Sequence, residues 1–160
     1  MTRARRIQER APALYRVPRA SEDSLLLDTH VWLWWVDGES RRLRGPLLDR
    51  LSKASAERSL FVSDISTFEI ALKAGRGSLR LSAPPAEWLR RAADLSQVRF
   101  VAMDRDVLLR AALLDGERPA DPADRIVVAT ASVHGMTLVT ADRAIHRYAE
   151  TSGAFRVLAA

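Results

Sequence analysis

The sequence contains no cysteine among its 160 residues. This absence excludes disulfide bonds, thiolate metal ligands and cysteine nucleophiles. No apolar run approaches the roughly 18 residues of a membrane span. No apolar segment of the ~7–15 residues found in secretory signals follows the N-terminal arginines. We therefore expect a cytoplasmic protein that has no contact with the membrane.

Motifs of several common enzyme classes are also missing. The pattern of a phosphate-cradling P-loop is absent, and Gly75-Arg76-Gly77 is too short to replace it. No serine lies in the strained elbow sequence that hydrolases use for their nucleophile. The three histidines share no metal-binding spacing, so an imidazole metal site is not indicated. Carboxylates are the main groups left to carry chemistry.

The charge of the chain is unevenly distributed. Residues 1–20 hold six arginines and one acid, which gives this segment the same net charge of +5 as the whole chain. The remaining residues are formally neutral, and an apolar content of 48% is typical of a globular domain. We predict a flexible basic arm at 1–22 and one folded domain at 24–158. Such an arm is either a leader without structure or a source of salt-sensitive affinity for a phosphate backbone.

Apolar runs and helical stripes alternate along the domain. Short apolar runs bounded by turn residues predict strands, and apolar residues at helical spacing predict helices. This alternation predicts an α/β fold, a three-layer α/β/α sandwich around a mostly parallel sheet. The predicted strands are Ser24–Asp28, Leu60–Ser63, Val98–Met103, Met136–Thr140 and Phe155–Leu158. The predicted helices are Thr29–Val36, Arg42–Glu57, Ile65–Gly75, Pro84–Leu95, Asp106–Leu114, Asp121–His134 and Asp142–Ala149.

Two acids follow predicted strands. Asp28 ends the first strand after three leucines, and Asp142 lies two residues beyond Thr140 at the end of the fourth. Ligands gather at the carboxyl ends of parallel strands, so we expect these side chains to meet at one edge of the sheet. Each acid is also well placed to cap the following helix, and the two roles are compatible. The hydroxyl of Thr140 points to the same place.

Three further acids belong to helices. Glu69 lies within a helix that starts directly after the second strand, although a lone helical glutamate is more often a solvated surface group. Asp121 precedes Pro122 and is the natural N-cap of its helix. Asp124 lies one turn further, at the mouth of the same helix, and we favour it over Asp121 as a metal ligand.

Carboxylates brought close together repel one another unless a cation neutralises them. Oxygen ligands without thiolate or imidazole suit Mg²⁺ or Mn²⁺ better than zinc. The predicted metal centre therefore consists of Asp28 and Asp124 as the principal ligands. Glu69 and Asp142 complete it directly or through water.

Aromatic residues crowd the first predicted helix. Trp32, Trp34 and Trp35 cannot all face one way at spacings of two and three residues. At least one is expected in the core, and an exposed remainder favours a protein contact. His30 adjoins the predicted site and either touches substrate or is an ordinary helical histidine.

Four runs of the sequence together resemble the PIN domain, and more narrowly the VapC-type toxin ribonucleases of bacterial toxin–antitoxin pairs. The similarity spans about residues 24 to 158, and the order and spacing of the runs agree. The runs are LLLDTHVWLWW, VSDISTFEIALKAGRGSLRL, DPADRIVVATA and LVTADRAIHRY.

The resemblance implies catalytic roles for four acids at matching positions: Asp28, Glu69, Asp124 and Asp142. It implies an α/β/α sandwich, Mg²⁺-dependent cleavage of single-stranded or structured RNA, frequent homodimers and inhibition by a small cognate antitoxin. Asp121 and Thr140 would contact the metal ligands without binding the metal, and Thr140 would orient water or phosphate.

An acid-lined site repels RNA, so nearby arginines are needed to steer the substrate. We assign this role to Arg125 and Arg143, together with the arm. The sequence thus predicts a metal-dependent endoribonuclease that acts as a toxin. Two alternatives stay open at this point, a non-catalytic RNA-binding module of the same fold and a metal-dependent phosphatase of small molecules.

Overall fold

The computed structural model describes residues 23–38, 42–43 and 45–160. The basic arm predicted at 1–22 lies outside the described residues. Strands and helices alternate through this part of the chain. The strands are β1 (Leu25–Leu27), β2 (Leu60–Ser63), β3 (Arg99–Val101), β4 (Thr137–Thr140) and β5 (Arg156–Ala159). The helices are α1 (Thr29–Val36), α2 (Pro46–Ala56), α3 (Asp64–Gly75), α4 (Pro85–Ser96), α5 (Arg105–Ala112), α6 (Pro122–His134) and α7 (Arg143–Ser152).

The five strands form one sheet in the order β3-β2-β1-β4-β5, and every neighbouring pair is parallel. The chain builds outward from β1 on one side and then returns to add β4 on the other. Strands β1 and β4 therefore flank the topological switch point, where parallel sheets open a crevice at their carboxyl ends. Leu27 is in register with Val139 at the end of these two strands.

Alternate residues of each strand pack on opposite faces of the sheet. Leu25 and Leu27 belong to an apolar cluster with residues of α1, α2 and α4, whereas Leu26 joins a cluster with residues of α6 and α7. Apolar side chains therefore cover both faces, as buried parallel strands require. The predicted three-layer α/β/α fold is confirmed.

Helix α2 starts later than the sequence indicated. The predicted helix began at Arg42, but the observed one begins at Pro46. Proline has no N–H to donate and a fixed φ, so it is favoured at the first position of a helix and unfavourable inside one. Gly45 precedes it with a φ of 52°, which a residue with a side chain rarely adopts.

Within the described ranges, no helix has the length and apolar character needed to cross a bilayer.

Candidate active site

The predicted acids converge on one cavity at the carboxyl edge of the sheet. Its volume is about 370 Å³. Asp28 and Asp142 enter it from the ends of the adjacent strands β1 and β4, and the other acids enter from α3 and the start of α6. The described residues that line it are Asp28, His30, Trp34, Glu69, Lys73, Asp121, Asp124, Ala141 and Asp142.

Asp28 is the most deeply placed of these acids, with 6% of its surface exposed. Its Oδ1 accepts a 2.7 Å hydrogen bond from the backbone N–H of Thr29, and its Oδ2 accepts a 2.6 Å bond from the hydroxyl of Thr140. Burial raises the pKa of Asp28, while the bond from Thr140, the nearby His30 and the bond from Thr29 oppose that rise. Asp28 is therefore a buried carboxyl group with both oxygens held in place.

Thr140 links two of the acids. Besides donating to Asp28, its hydroxyl oxygen accepts a 3.0 Å hydrogen bond from the backbone N–H of Asp142. The Asp142 side chain caps α7 by accepting from the N–H groups of Ala144 and Ile145, at 2.6 and 3.2 Å. The strand end and the helix start are thereby fixed against each other, and the expected cap at Asp142 is present.

Glu69 is held from two sides on α3. Its Oε2 accepts a 2.6 Å hydrogen bond from the hydroxyl of Thr29, which lies 2.8 Å from the hydroxyl of Ser66. Its Oε1 lies 3.0 Å from Nζ of Lys73, one helical turn further on. Glu69 is thus turned inward, away from the solvated position that a lone helical glutamate commonly takes.

Asp121 and Asp124 divide the roles at the start of α6. Asp121 is the N-cap and accepts a 2.7 Å hydrogen bond from the N–H of Ala123. Asp124 lies in the first turn and is half-buried. The pKa of Asp124 is raised to about 7, chiefly by burial and further by the negative charges of four neighbouring acids. In order of effect, these neighbours are Asp28, Asp121, Asp142 and Glu69.

The two arginines proposed to steer substrate lie outside the lining of the cavity. Arg125 donates from Nε to the carbonyl of Pro119 at 2.6 Å and from Nη2 to that of Ala120 at 3.0 Å. Its guanidinium therefore fastens the loop that leads into α6. Arg143 is the exposed first residue of α7, next to Asp142, so a steering role stays a prediction that is better suited to Arg143.

Besides Ala141, two residues of the cavity lining were not assigned to the site from the sequence. Lys73 is the only lysine or arginine among its described lining residues, and Trp34 forms part of its wall. The spacing of Lys73, four residues after Glu69, is a signal that could have identified it, because side chains four apart on a helix are neighbours. Trp34 has the same spacing from His30, although the sequence left the role of His30 open.

The donor set fits a hard divalent cation in its chemistry. The carboxylates supply oxygen only, and the pKa of Asp124 is raised first by burial and then by the charges of the neighbouring acids. Among the residues that the structure describes, no three acidic or imidazole side chains already form a coordination group. Oxygens of Asp28, Glu69 and Asp142 accept hydrogen bonds from protein donors in this arrangement.

Fold and cavity together define a parallel α/β protein with a carboxylate site at its switch point. Comparison with known proteins gives the family. The PIN domain matches residues 25–151. Ribonuclease VapC22 of Mycobacterium tuberculosis is 38% identical over 127 residues, which make up 78% of this chain and 93% of that protein. The chain belongs to the PIN domain family, which confirms the resemblance carried by its four sequence runs.

Solved structures share the fold at low sequence identity. A chain of DNA-bound VapBC from Salmonella typhimurium has a TM-score of 0.62 and 17% identity, and the likeness covers 85% of this chain and 97% of that one. VapBC2 from Rickettsia felis, bound to a promoter DNA fragment, has a TM-score of 0.57 and 13% identity over 84% and 97% of the two chains. At these identities the likeness shows the fold alone.

Proposed function

We propose that this protein is a Mg²⁺- or Mn²⁺-dependent endoribonuclease and the toxin of a toxin–antitoxin pair. The observation that carries the proposal is the meeting of Asp28, Glu69, Asp124 and Asp142 in one cavity. Its family and its relative, a named ribonuclease, support the assignment as a nuclease that hydrolyses phosphodiester bonds. A cytoplasmic location belongs to the same proposal.

Asp28 and Asp124 are the residues that would hold the cation, with Glu69 and Asp142 acting directly or through water. The chemistry that a divalent cation supplies at such a site is activation of the attacking water and neutralisation of charge on the phosphate. Thr140 keeps Asp28 oriented toward the cavity through its 2.6 Å hydrogen bond. Asp121 keeps the start of α6, and with it Asp124, in position.

The substrate must approach a site that is rich in negative charge. Lys73 provides a cation within the cavity, 3.0 Å from Glu69, and Arg143 provides one beside Asp142. Positive groups at the rim of an acidic site raise the local concentration of a polyanion. Cleavage of the RNA backbone would leave 5′-phosphate and 3′-hydroxyl ends, as the family resemblance implies.

A protein antitoxin is the expected partner. The structural neighbours from Salmonella typhimurium and Rickettsia felis are VapBC assemblies, which supports a partner of this kind. The expected homodimer is part of the same proposal, and sedimentation of the purified protein tests it. A particle with the mass of one chain, 17.8 kDa, at micromolar concentration would contradict the dimer.

The direct test is cleavage of labelled unstructured RNA oligonucleotides in Mg²⁺ by the wild type and by Asp28→Asn and Asp124→Asn. Both substitutions remove a ligand charge while keeping the side-chain shape, so each should reduce the rate by at least about 100-fold. Asp106→Asn is the matched control. Asp106 and Asp124 both lie in the first turn of a helix, α5 and α6 respectively, but Asp106 is exposed and does not line the cavity.

The outcomes separate the competing functions. Full activity of both site variants would overturn the assigned centre. Binding of RNA by the wild type without cleavage, in either metal, would favour a non-catalytic module. Hydrolysis of a phosphomonoester without RNA cleavage would favour a phosphatase.

A further inference from the structure

One wall of the acidic cavity is aromatic. His30 and Trp34 lie one turn apart on α1, and both line the cavity that holds the four acids. Their ring centroids are 6.5 Å apart with the planes inclined at 45°. His30 is exposed and Trp34 is half-buried, so part of each ring is accessible from the cavity. The lining of the site thus combines carboxylates with two flat rings.

Trp32, on the same helix, packs in the hydrophobic core. Trp32 is fully buried, and its ring contacts Trp88 and Phe100 at 5.9 and 5.6 Å in edge-on geometry. Two residues along a helix turn the side chain by about 200°, so Trp34 faces away from Trp32. Trp34 is half-buried and packs against the edge of the same apolar cluster, and the rest of its side chain lines the acidic cavity.

The ring of Trp34 is braced from outside. The guanidinium carbon of Arg42 lies 4.9 Å from its centroid, which is a cation–π contact. Arg42 does not line the cavity, so it contacts the indole from outside, and packing against the apolar cluster also holds the ring in place. A fixed aromatic plate loses little conformational entropy when a second flat group binds to it.

We propose that Trp34, assisted by His30, is the stacking surface for one unpaired base of the RNA next to the bond that is cleaved. The inference rests on the proposed ribonuclease function and specifies its substrate class. Proteins bind single-stranded nucleic acids by stacking bases on aromatic rings while cations contact the backbone. Lys73 supplies such a cation in the same cavity.

The geometry selects against a paired base at this position. A base in a duplex has its faces covered by its neighbours, so it cannot stack on a side chain without being unstacked and unpaired. The cavity, at about 370 Å³, lies at the small end of ligand sites and suits a single nucleotide unit. Stacking also tolerates every base, because each has a π-face. The contact therefore selects an unpaired base but does not discriminate between the four bases.

The test uses an oligonucleotide that the wild-type protein cleaves, and a set of copies that each lack the base at one position. Single-turnover rates at increasing protein concentration give the half-saturating concentration. Removal of the base beside the cleaved bond should raise that concentration about 5- to 150-fold for the wild type. The same oligonucleotide annealed to its complement should resist cleavage at that bond.

Three protein variants complete the design. Trp34→Leu keeps apolar bulk but removes the ring, so it should raise the half-saturating concentration of the intact substrate by the same factor. Removal of the base should then cause no further rise in this variant. Trp34→Phe should recover most of the affinity. Phe68→Leu is the control, because Phe68 is an exposed aromatic on α3 outside the lining of the cavity. Thermal unfolding of each variant shows whether it is folded.

The results distinguish this inference from the function on which it rests. If the wild type cleaves no RNA, the proposed function fails. If the wild type cleaves, but every base-less and duplex substrate reacts as the intact single strand does, the stacking surface is refuted even when Trp34→Leu cannot be purified. An unchanged half-saturating concentration for folded Trp34→Leu refutes it as well. In that case, weaker antitoxin binding by this variant would assign the ring to the protein partner.

Discussion

The hydroxyl of Thr140 donates a 2.6 Å hydrogen bond to Oδ2 of Asp28, across 112 positions of the sequence. Both residues are buried, and they lie at the ends of adjacent strands. The same hydroxyl accepts from the N–H of Asp142. A single side chain thus sets the orientation of one predicted ligand and the backbone of another.

Replacing this threonine gives the first prediction. Thr140→Val keeps the shape but leaves Oδ2 of Asp28 buried without its donor, which costs about 1–3 kcal/mol of unfolding free energy. Urea denaturation measures this loss. The matched control is Thr130→Val, since Thr130 is equally buried but donates to the carbonyl of Ile126 in its own helix and otherwise contacts a neutral hydroxyl, that of Ser63 at 3.4 Å. Equal losses of unfolding free energy for the two variants would show that the Thr140–Asp28 hydrogen bond contributes no more than an ordinary buried hydroxyl bond.

The raised pKa of Asp124 predicts how stability depends on pH. The pKa rises from an ordinary value of 3.8 to about 7, so the folded state binds the proton more tightly than the unfolded chain does. Stability from this group is therefore complete below about pH 4 and is lost as the pH rises through 7. Asp124→Asn cannot ionise, so its advantage over the wild type should grow across this window.

Thermal unfolding without metal at pH 4 and at pH 8 provides the measurement. After allowance for solvent screening of a half-exposed group, we expect Asp124→Asn to gain on the order of 1–2 kcal/mol at pH 8, or about 2–8 °C in Tm. At pH 4 the two proteins should unfold together. Asp106→Asn is the control, and its Tm shows the effect of removing a carboxylate from the first turn of another helix. A difference that stays constant between these pH values would contradict the raised pKa.

The sequence predicted the arrangement of the acids well because their positions follow from backbone architecture. Apolar runs located β1 and β4, and the rule for parallel strands placed Asp28 and Asp142 at one edge of the sheet. The cap at Asp121 followed from Pro122 in the same way. These inferences depend on local pattern and general topology, which a single sequence contains.

Features that depend on where a side chain points were beyond the sequence. Arg125 was proposed to steer RNA, but its guanidinium turns back to two loop carbonyls. The three tryptophans of α1 were expected to divide between the core and a protein contact, and which of them reaches the cavity wall depends on which face of α1 covers the sheet. The bond from Thr29 to Glu69 spans 40 positions and has no local signature.

Lys73 gives a further prediction, which rests on the proposed function. In Lys73→Met the cavity loses its lysine, so the affinity for RNA should fall by a similar factor whatever the RNA sequence. The slope of log affinity against log salt concentration should decrease in magnitude by about 1. Stability should change by less than about 1 kcal/mol, since a partly exposed pair at this spacing contributes little. Anisotropy of labelled RNA with an Asp124→Asn background, which prevents cleavage, measures the slope.

A matched ion pair controls for the general effect of removing a lysine. Lys53 on α2 and Glu57 at its C-cap have the same spacing, lie 3.8 Å apart and are more exposed, and neither lines the acidic cavity. Lys53→Met should leave the salt slope unchanged. Identical slopes for Lys73→Met and the wild type would remove Lys73 from the substrate contact.

Metal binding can be tested without substrate. A cation that binds only the folded protein stabilises it by about 2.7 kcal/mol at 100 times its dissociation constant. Mg²⁺ and Mn²⁺ should therefore raise the Tm of the wild type and of Asp106→Asn, but have much less effect on Asp28→Asn and Asp124→Asn. Because the cation displaces the proton held by Asp124, whose pKa is raised to about 7, the rise should be larger at pH 8 than at pH 6. A Tm that neither metal changes at either pH would show that the carboxylate cavity does not bind a divalent cation in the free protein.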